Sequence, residues 1–237
     1  MFNHYRTLGF ILKKNDRGEA DRVFAIYTKD FGKLELLAKG ERKITSKLRG
    51  GLELFFLSEI EFIQGKNYKT LTDAILIDNF KNLRKDLKIL GVLYKISEVL
   101  DALVKEAEPD EKIWNLLIET FKKLNAIKPE IVYYYFFWNF LSTLGYQPEL
   151  YHCSLCQKKL SPENIYFNPK EGGLTCGQCE KSIEPARQIE SDAIKIIRII
   201  VKKDWPTLKK LKIKSKELRS LKTVSQYYLS GILERVS

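Results

Sequence analysis

The residues best suited to chemistry in this sequence are its four cysteines, which form two Cys-x-x-Cys pairs. Cys153 and Cys156 make the first pair, Cys176 and Cys179 make the second, and nineteen residues separate the two pairs. Each such turn can direct two thiolates at one ion, and two turns complete the tetrahedral shell of four sulfurs that zinc accepts. The pattern predicts one structural Zn²⁺, because four thiolates leave no coordination position open for a substrate.

Other uses of the four thiols stay open at this stage. Two disulfides would require an oxidising compartment, and iron also binds four thiolates. His152 precedes the first cysteine, but a shell already filled by sulfur leaves it as a bystander. Gly172 and Gly173 lie between the pairs, where a hairpin turn would bring the second pair back to the first.

A second group of chemically useful residues is a basic run within residues 39–49. It contains five Lys and Arg, a single acid (Glu41), and Gly, Ser and Thr residues that are typical of an exposed loop. Loop cations can follow a phosphate backbone, while aromatic side chains on a barrel can stack on bases. Tyr27, Phe31 and Tyr68 are aromatic candidates, although each is more typical of a core. The cations of the run are Lys39, Arg42, Lys43, Lys47 and Arg49.

The positive charge of the chain is unevenly distributed. The formal net charge is +11, which favours a polyanionic partner such as nucleic acid or an anionic membrane. Residues 183–237 contain thirteen Lys and Arg against six Asp and Glu, and nine of those bases lie within residues 202–222. This second stretch could contact phosphates or simply form a solvated helical face, and the sequence does not decide between the two.

Motifs of an active site are missing from the sequence. His4 and His152 are its two histidines, and no phosphate-binding glycine loop, nucleophile elbow or zinc-protease motif occurs. Glu59 and Glu61 alternate as on the solvent face of a strand, so they give little support to a metal-dependent nuclease. We predict that the chain is not an enzyme. Without an eighteen-residue apolar run or a signal core, it is also predicted to be cytoplasmic.

Hydrophobic periodicity predicts the elements that position these residues. Alternating segments indicate a small closed barrel, with strands at 8–12, 22–28, 34–38, 52–63 and 70–77. Helical spacing then follows, in residues 79–106, 110–127, 129–145, from 191 onward and from 216 onward. Within the third helix the aromatic run Tyr133–Trp138 is predicted to be core, and Ser215 is predicted to cap the last helix.

Three segments near the N-terminus carry a resemblance to a known family. Gly18–Val23, Tyr27–Lys33 and Lys39–Lys43 resemble the N-terminal signature of RecO, a family of bacterial recombination mediators. The order that follows is similar as well: helices, a Cys-x-x-Cys pair, Gly-Gly-Leu, a second pair and helices again. The resemblance covers nearly the whole chain.

This resemblance implies a fold, an activity and a set of partners. It implies binding to single- and double-stranded DNA, annealing of complementary strands, and action with RecR to help RecA displace single-stranded-DNA-binding protein in gap repair. Arg22 and the basic run are carried over as DNA-contacting residues. Glu41 stands where similar proteins often have a small residue, which would weaken the local positive field. Because some relatives lack the cysteines, the zinc would be a scaffold.

The predicted fold class is therefore α+β: an N-terminal OB-fold barrel followed by a helical domain with an inserted four-cysteine zinc module. We assign the barrel to residues 1–80, the helical domain to 81–149 and 183–237, and the module to 150–182. The predicted function is that of a DNA-annealing recombination mediator associated with the nucleoid. The alternative is a zinc-containing scaffold or transcription-associated factor whose basic surfaces bind acidic proteins.

Overall fold

The computed structural model describes residues 3–66, 68–104, 109–161, 164–182 and 186–236. The chain divides into two compact units, Met1–Asn125 and Ala126–Ser237. The first unit therefore includes helices that the sequence-based division assigns to the helical domain. The domain boundaries taken from the sequence remain a prediction.

The first unit is built around a closed barrel, as predicted. Hydrogen bonds join its five strands, numbered along the chain, in the order 1-2-3-5-4, with the third and fifth strands parallel and the other pairs antiparallel. Every strand contributes apolar residues to one buried core, as expected for a small barrel. This topology is OB-like, and the α+β class is confirmed. The strands are β1 (His4–Arg17), β2 (Asp21–Thr28), β3 (Gly32–Ala38), β4 (Leu57–Gln64) and β5 (Lys69–Asp78).

The fourth strand begins later than predicted, at Leu57 instead of Leu52. Lys47–Gly51 forms a short 3₁₀ helix, and Phe55 has a φ of 65°, which breaks the extended backbone. The Phe55 N–H donates to the Ile11 carbonyl at 2.8 Å. The apolar residues before Leu57 therefore cover the barrel without joining the ladder, so their hydrophobicity alone wrongly predicted a strand.

Two helices complete the first unit: α1 (Leu87–Leu103) and α2 (Glu111–Lys123). The predicted start of the first helix at residue 79 is wrong, because Asp86 is extended and caps α1 there; the predicted end at Glu106 lies outside the described residues. Both helices pack on β1. Ser97 Oγ donates to the Leu12 carbonyl at 2.8 Å, and the rings of Phe10 and Phe121 are 4.6 Å apart between centroids.

The second unit surrounds an aromatic helix, α3 (Pro129–Thr143), which is buried on all sides as predicted. Trp138 of α3 stacks on Tyr228 at a centroid distance of 5.4 Å, and Phe167 meets both rings edge-on. A short helix with a proline in its first turn, α5, was not predicted. The elements are α3 (Pro129–Thr143), β6 (Ile165–Asn168), β7 (Gly173–Cys176), β8 (Arg187–Gln188), α4 (Ser191–Val201), α5 (Trp205–Lys210) and α6 (Ser215–Val236).

The apolar helices of this chain are core helices of modest length. In the ranges that the structure describes, none is both long enough and apolar enough for a membrane span.

Candidate metal centre and nucleic-acid interface

The four cysteines converge in the second unit. Their Sγ atoms all lie within 4.8 Å of one another, and the Sγ atoms of Cys156 and Cys176 are 3.9 Å apart. Ser154 N–H donates to the Leu174 carbonyl at 2.8 Å, which fixes the first Cys-x-x-Cys turn beside β7. Four sulfurs grouped around one point, instead of two separate pairs, form a donor set that can hold one metal ion.

The hairpin between the pairs explains this convergence. β6 and β7 are antiparallel, and Gly172 has a φ of +70°, where the absence of a side chain avoids strain. Gly173 lies so close to the chain that a Cβ would be 2.4 Å from the Glu149 carbonyl oxygen. The predicted turn is confirmed at Gly172, whereas Gly173 is already the first residue of β7. His152 lies outside the sulfur group, with its Nδ1 3.8 Å from Glu149.

The electrostatics of the thiols also suit a cation. Burial disfavours the Cys153 thiolate, but the N–H groups of Cys156, Cys176 and Leu155 outweigh that effect and lower the pKa of Cys153 to about 6. The pKa of Cys179 is raised to about 12 by its contacts, first with Cys176 and then with Cys156. Four crowded sulfurs cannot all ionise unless a positive charge compensates them, and a metal ion supplies that charge.

The basic run forms a loop after β3 that ends in the first residues of the 3₁₀ helix Lys47–Gly51, and residues 39–49 are here called the basic loop. Two of its backbone N–H groups attach it to the end of the β1–β2 turn and the start of β2. Arg42 N–H donates to the Ala20 carbonyl at 3.0 Å, and Gly40 N–H donates to Asp21 Oδ1 at 2.7 Å. Lys43 N–H donates to the Gly40 carbonyl, so the loop begins with a tight turn. The loop is therefore held by hydrogen bonds and does not extend freely from the barrel.

Most cations of the basic loop are exposed and uncompensated. In the described ranges, no ion pair joins these four cations to another residue, whereas Arg22 and Arg42 are paired with acids. Their ammonium and guanidinium groups are available to phosphates, as the predicted DNA surface requires. These side chains are Lys39, Lys43, Lys47 and Arg49.

The two remaining predicted contacts, Arg22 and Arg42, are engaged by the protein itself. Arg22 Nε donates to Asp16 Oδ1 at 2.7 Å, and its Nη1 donates to Glu41 Oε2 at 3.1 Å. Asp16, the main cause, and the charge of Glu41 together raise the pKa of Arg22 despite its partial burial. Arg42 donates to the Gly18 carbonyl and lies 3.5 Å from Asp16. Of the six predicted residues, Arg22 has the least freedom to meet DNA.

Glu41 pairs with one of the predicted DNA-contacting cations, Arg22. Its side chain is 2% exposed, and its carboxylate is used by Arg22 instead of by a lysine of the basic loop. The acid therefore stabilises the base of the loop through Arg22. It forms no ion pair with Lys39, Lys43, Lys47 or Arg49.

The three aromatic candidates differ in how far they are exposed. Tyr27 is fully buried, and Phe31 packs edge-on against Tyr5 and Phe62. Tyr68 is 50% exposed, and the Arg17 guanidinium carbon lies 4.2 Å from its ring centroid. Arg17 was not predicted, because a cation–π contact between the end of β1 and the β4–β5 connection leaves no local sequence pattern.

The second basic stretch, residues 202–222, exposes all nine of its cations. Its two acids serve the backbone: Asp204 accepts from Thr207 N–H at 3.1 Å, and Glu217 accepts from Lys214 N–H at 2.7 Å. Within the described ranges, the one ion pair of this stretch joins Lys216 to Glu190 at 3.0 Å. The second unit therefore also presents a largely uncompensated positive surface.

Comparison with known proteins gives matches along nearly the whole chain. The family model "Recombination protein O N terminal" matches residues 1–80, and "Recombination protein O C terminal" matches residues 84–237. A DNA repair protein RecO from Dehalococcoides mccartyi is 33% identical over 98% of this chain and 91% of its own length. The RecO protein of a Roseiflexus species is 31% identical over 98% of this chain and 82% of its own length.

Proposed function

This chain belongs to the RecO family of DNA repair proteins, and we propose that it binds single- and double-stranded DNA and anneals complementary strands. With RecR, it would help RecA replace single-stranded-DNA-binding protein at gaps, in the cytoplasm and on the nucleoid. These finer activities and partners rest on the family resemblance. The chemistry of the described surfaces supports the DNA-binding part directly.

The observation that carries the proposal is the basic loop, a hydrogen-bonded loop with four exposed and uncompensated cations. Cations that neutralise phosphates release condensed counterions, so affinity falls steeply with salt and depends little on sequence. If the four side chains each meet one phosphate of a single strand, the slope of log K against log salt is about −3.

Annealing requires that two polyanions come close to each other. Each unit of the chain offers a positive surface: the basic loop in the first and residues 202–222 in the second. Positive surfaces reduce the repulsion between strands without any reacting group. This supports an annealing role that needs no active site, and we propose that the chain is not an enzyme.

The four cysteines would hold one Zn²⁺, with Zn–S bonds of about 2.3 Å. A shell of four thiolates has no vacant position, so the ion would bind neither substrate nor water. Its role would be to fix the β6–β7 hairpin and the turn that precedes it. The metal would thus support the second unit and take no part in reading DNA.

The alternative function, binding of acidic proteins, has support from one observation. The second unit contains an apolar cavity of about 380 Å³ with lysines among its lining residues. A protein segment with apolar and acidic side chains would fit such a cavity. We propose that this unit binds single-stranded-DNA-binding protein. Binding of an acidic protein would then occur in addition to DNA binding and would not replace it. The lining residues include Ile131, Leu208, Leu211, Lys209, Lys212 and Lys214.

The direct test is a titration of labelled single-stranded oligonucleotide at several salt concentrations. The triple variant Lys39→Glu, Lys43→Glu, Lys47→Glu should bind at least about tenfold more weakly than wild type, with a shallower salt slope. The control Lys81→Glu, Lys88→Glu, Lys112→Glu makes the same charge change at exposed positions of the same unit, and it should retain most of the affinity.

Three results would contradict the proposal. They are wild-type binding that is absent, binding that is insensitive to salt, and an equal loss in both triple variants. Adding Mg²⁺ to the same mixtures tests the nuclease alternative, and we expect the oligonucleotide to remain uncut.

A further inference from the structure

Ile44 is an apolar side chain at the tip of the basic loop, and it is 93% exposed. Ser46 N–H donates to the Lys43 carbonyl at 3.0 Å, which closes a four-residue turn with Ile44 and Thr45 at its centre. The turn directs Ile44 away from the barrel. Among the described residues, no other large hydrophobic side chain is as exposed.

A single exposed apolar residue is common on protein surfaces and does not by itself indicate a ligand. The position of Ile44 is what distinguishes it. Lys43 precedes it and Lys47 follows three residues later, and both are exposed without an ion pair to any described residue. A polyanion that meets both cations would therefore pass close to Ile44.

The base of the loop is held firmly enough to keep this tip in place. Asp21 accepts from Gly40 N–H, and the Ala20 carbonyl accepts from Arg42 N–H. In addition, the buried Glu41 carboxylate pairs with Arg22. A supported turn can press a side chain against a ligand with little loss of conformational entropy, since most of the ordering is complete before binding.

We propose that Ile44 inserts between the bases of bound DNA while the neighbouring cations hold the phosphates. Ile is one of the apolar side chains that proteins use as wedges between base steps. In a single strand the base faces are accessible, so insertion requires no duplex opening. The contact would be insensitive to sequence, because every base has an apolar face.

This role rests on the proposed function and adds to it. Cations alone would gather a strand on the surface with its bases stacked upon one another. A wedge would separate neighbouring bases and leave their pairing edges open to a complementary strand. Ile44 would then contribute to annealing through base exposure, apart from the charge effect.

The test compares Ile44→Ser with Leu87→Ser, a matched control that is 83% exposed in the same unit but distant in sequence from the basic loop. The oligonucleotide contains 2-aminopurine, whose fluorescence rises when it unstacks. Ile44→Ser should bind about tenfold more weakly, as expected for partial burial of one aliphatic side chain. Its fluorescence rise should be smaller than that of wild type, while Leu87→Ser should resemble wild type in both respects.

The salt slope separates this contact from the phosphate contacts. Ile44→Ser removes no charge, so its slope should equal that of wild type, whereas Lys43→Gln should make the slope shallower by about 0.7. Ile44→Trp should restore affinity, and its indole fluorescence should be quenched by stacked bases.

The inference fails if Ile44→Ser binds and unstacks DNA as wild type does while the lysine variants lose affinity. In that outcome the proposed function stands. Wild-type protein that binds no DNA would overturn both.

Discussion

Arg22 shows that a cation within a basic surface can be committed to the protein itself. Its guanidinium lies between Asp16 and Glu41, and Glu41 is almost completely buried. In the sequence these residues look like one positive charge and two separate acids. Their pairing depends on contacts between β1, β2 and the basic loop, which no local pattern encodes. By contrast, the two Cys-x-x-Cys pairs could be identified from sequence, because short spacing alone restricts where each pair can point.

The Arg22–Glu41 pair is predicted to stabilise the basic loop. Replacing Glu41 with Gln removes a buried charge and leaves Arg22 with Asp16 alone. We expect the free energy of unfolding to fall by about 2 kcal/mol, less than for a pair buried on both sides, because Arg22 stays partly exposed. Chemical denaturation measures this loss. Glu35→Gln, an exposed acid on β3, is the control, and an equal small change in both variants would show that the pair contributes nothing.

At the scale of elements, the barrel and most helices could be predicted because their apolar residues follow a strict period. The errors occur where the backbone departs from that period. Leu52–Phe56 is apolar apart from Glu53, but it is not extended, since Phe55 adopts a positive φ. The short helix α5 escaped prediction because six residues are too few for a periodic pattern. The cap of α2, Asp110, was predicted as the start of that helix, whereas Asp86, the cap of α1, was missed although Asp favours helix starts.

The four cysteines lead to a prediction about metal content and thermal stability. Wild-type protein should contain about one zinc per chain by elemental analysis, and Cys176→Ser should contain almost none, because three thiolates bind zinc far less tightly than four. The melting temperature of Cys176→Ser should fall, since ligand loss removes metal-coupled folding energy. Gln178→Ser changes an exposed residue of the same turn and should keep both the metal and the melting temperature.

Binding of oligonucleotide by Cys176→Ser distinguishes a scaffold from a reading device. The basic loop lies in the other compact unit, so DNA affinity at low temperature should stay within about threefold of wild type. A full loss of DNA binding in a folded, zinc-free variant would contradict the scaffold role.

At the scale of the whole molecule, a net charge of +11 predicted a polyanionic partner but not the surfaces involved. Those surfaces depend on how the acids are used. Asp204 and Glu217 bind backbone N–H groups, and the buried Glu41 pairs with Arg22, so most of the neighbouring lysines stay without an ion pair to a described residue. Composition cannot report this, because an acid that caps a helix and one that neutralises a lysine count alike. The RecO family models match residues 1–80 and 84–237.

The central claim is that cations of the basic loop bring complementary strands together. It is tested most directly by the annealing rate of two complementary oligonucleotides, followed by fluorescence quenching at low salt. Wild-type protein and the control Lys81→Glu, Lys88→Glu, Lys112→Glu should accelerate annealing to a similar extent. The variant Lys39→Glu, Lys43→Glu, Lys47→Glu should lose at least about tenfold of that acceleration. Acceleration that is unchanged in the loop variant would contradict the account.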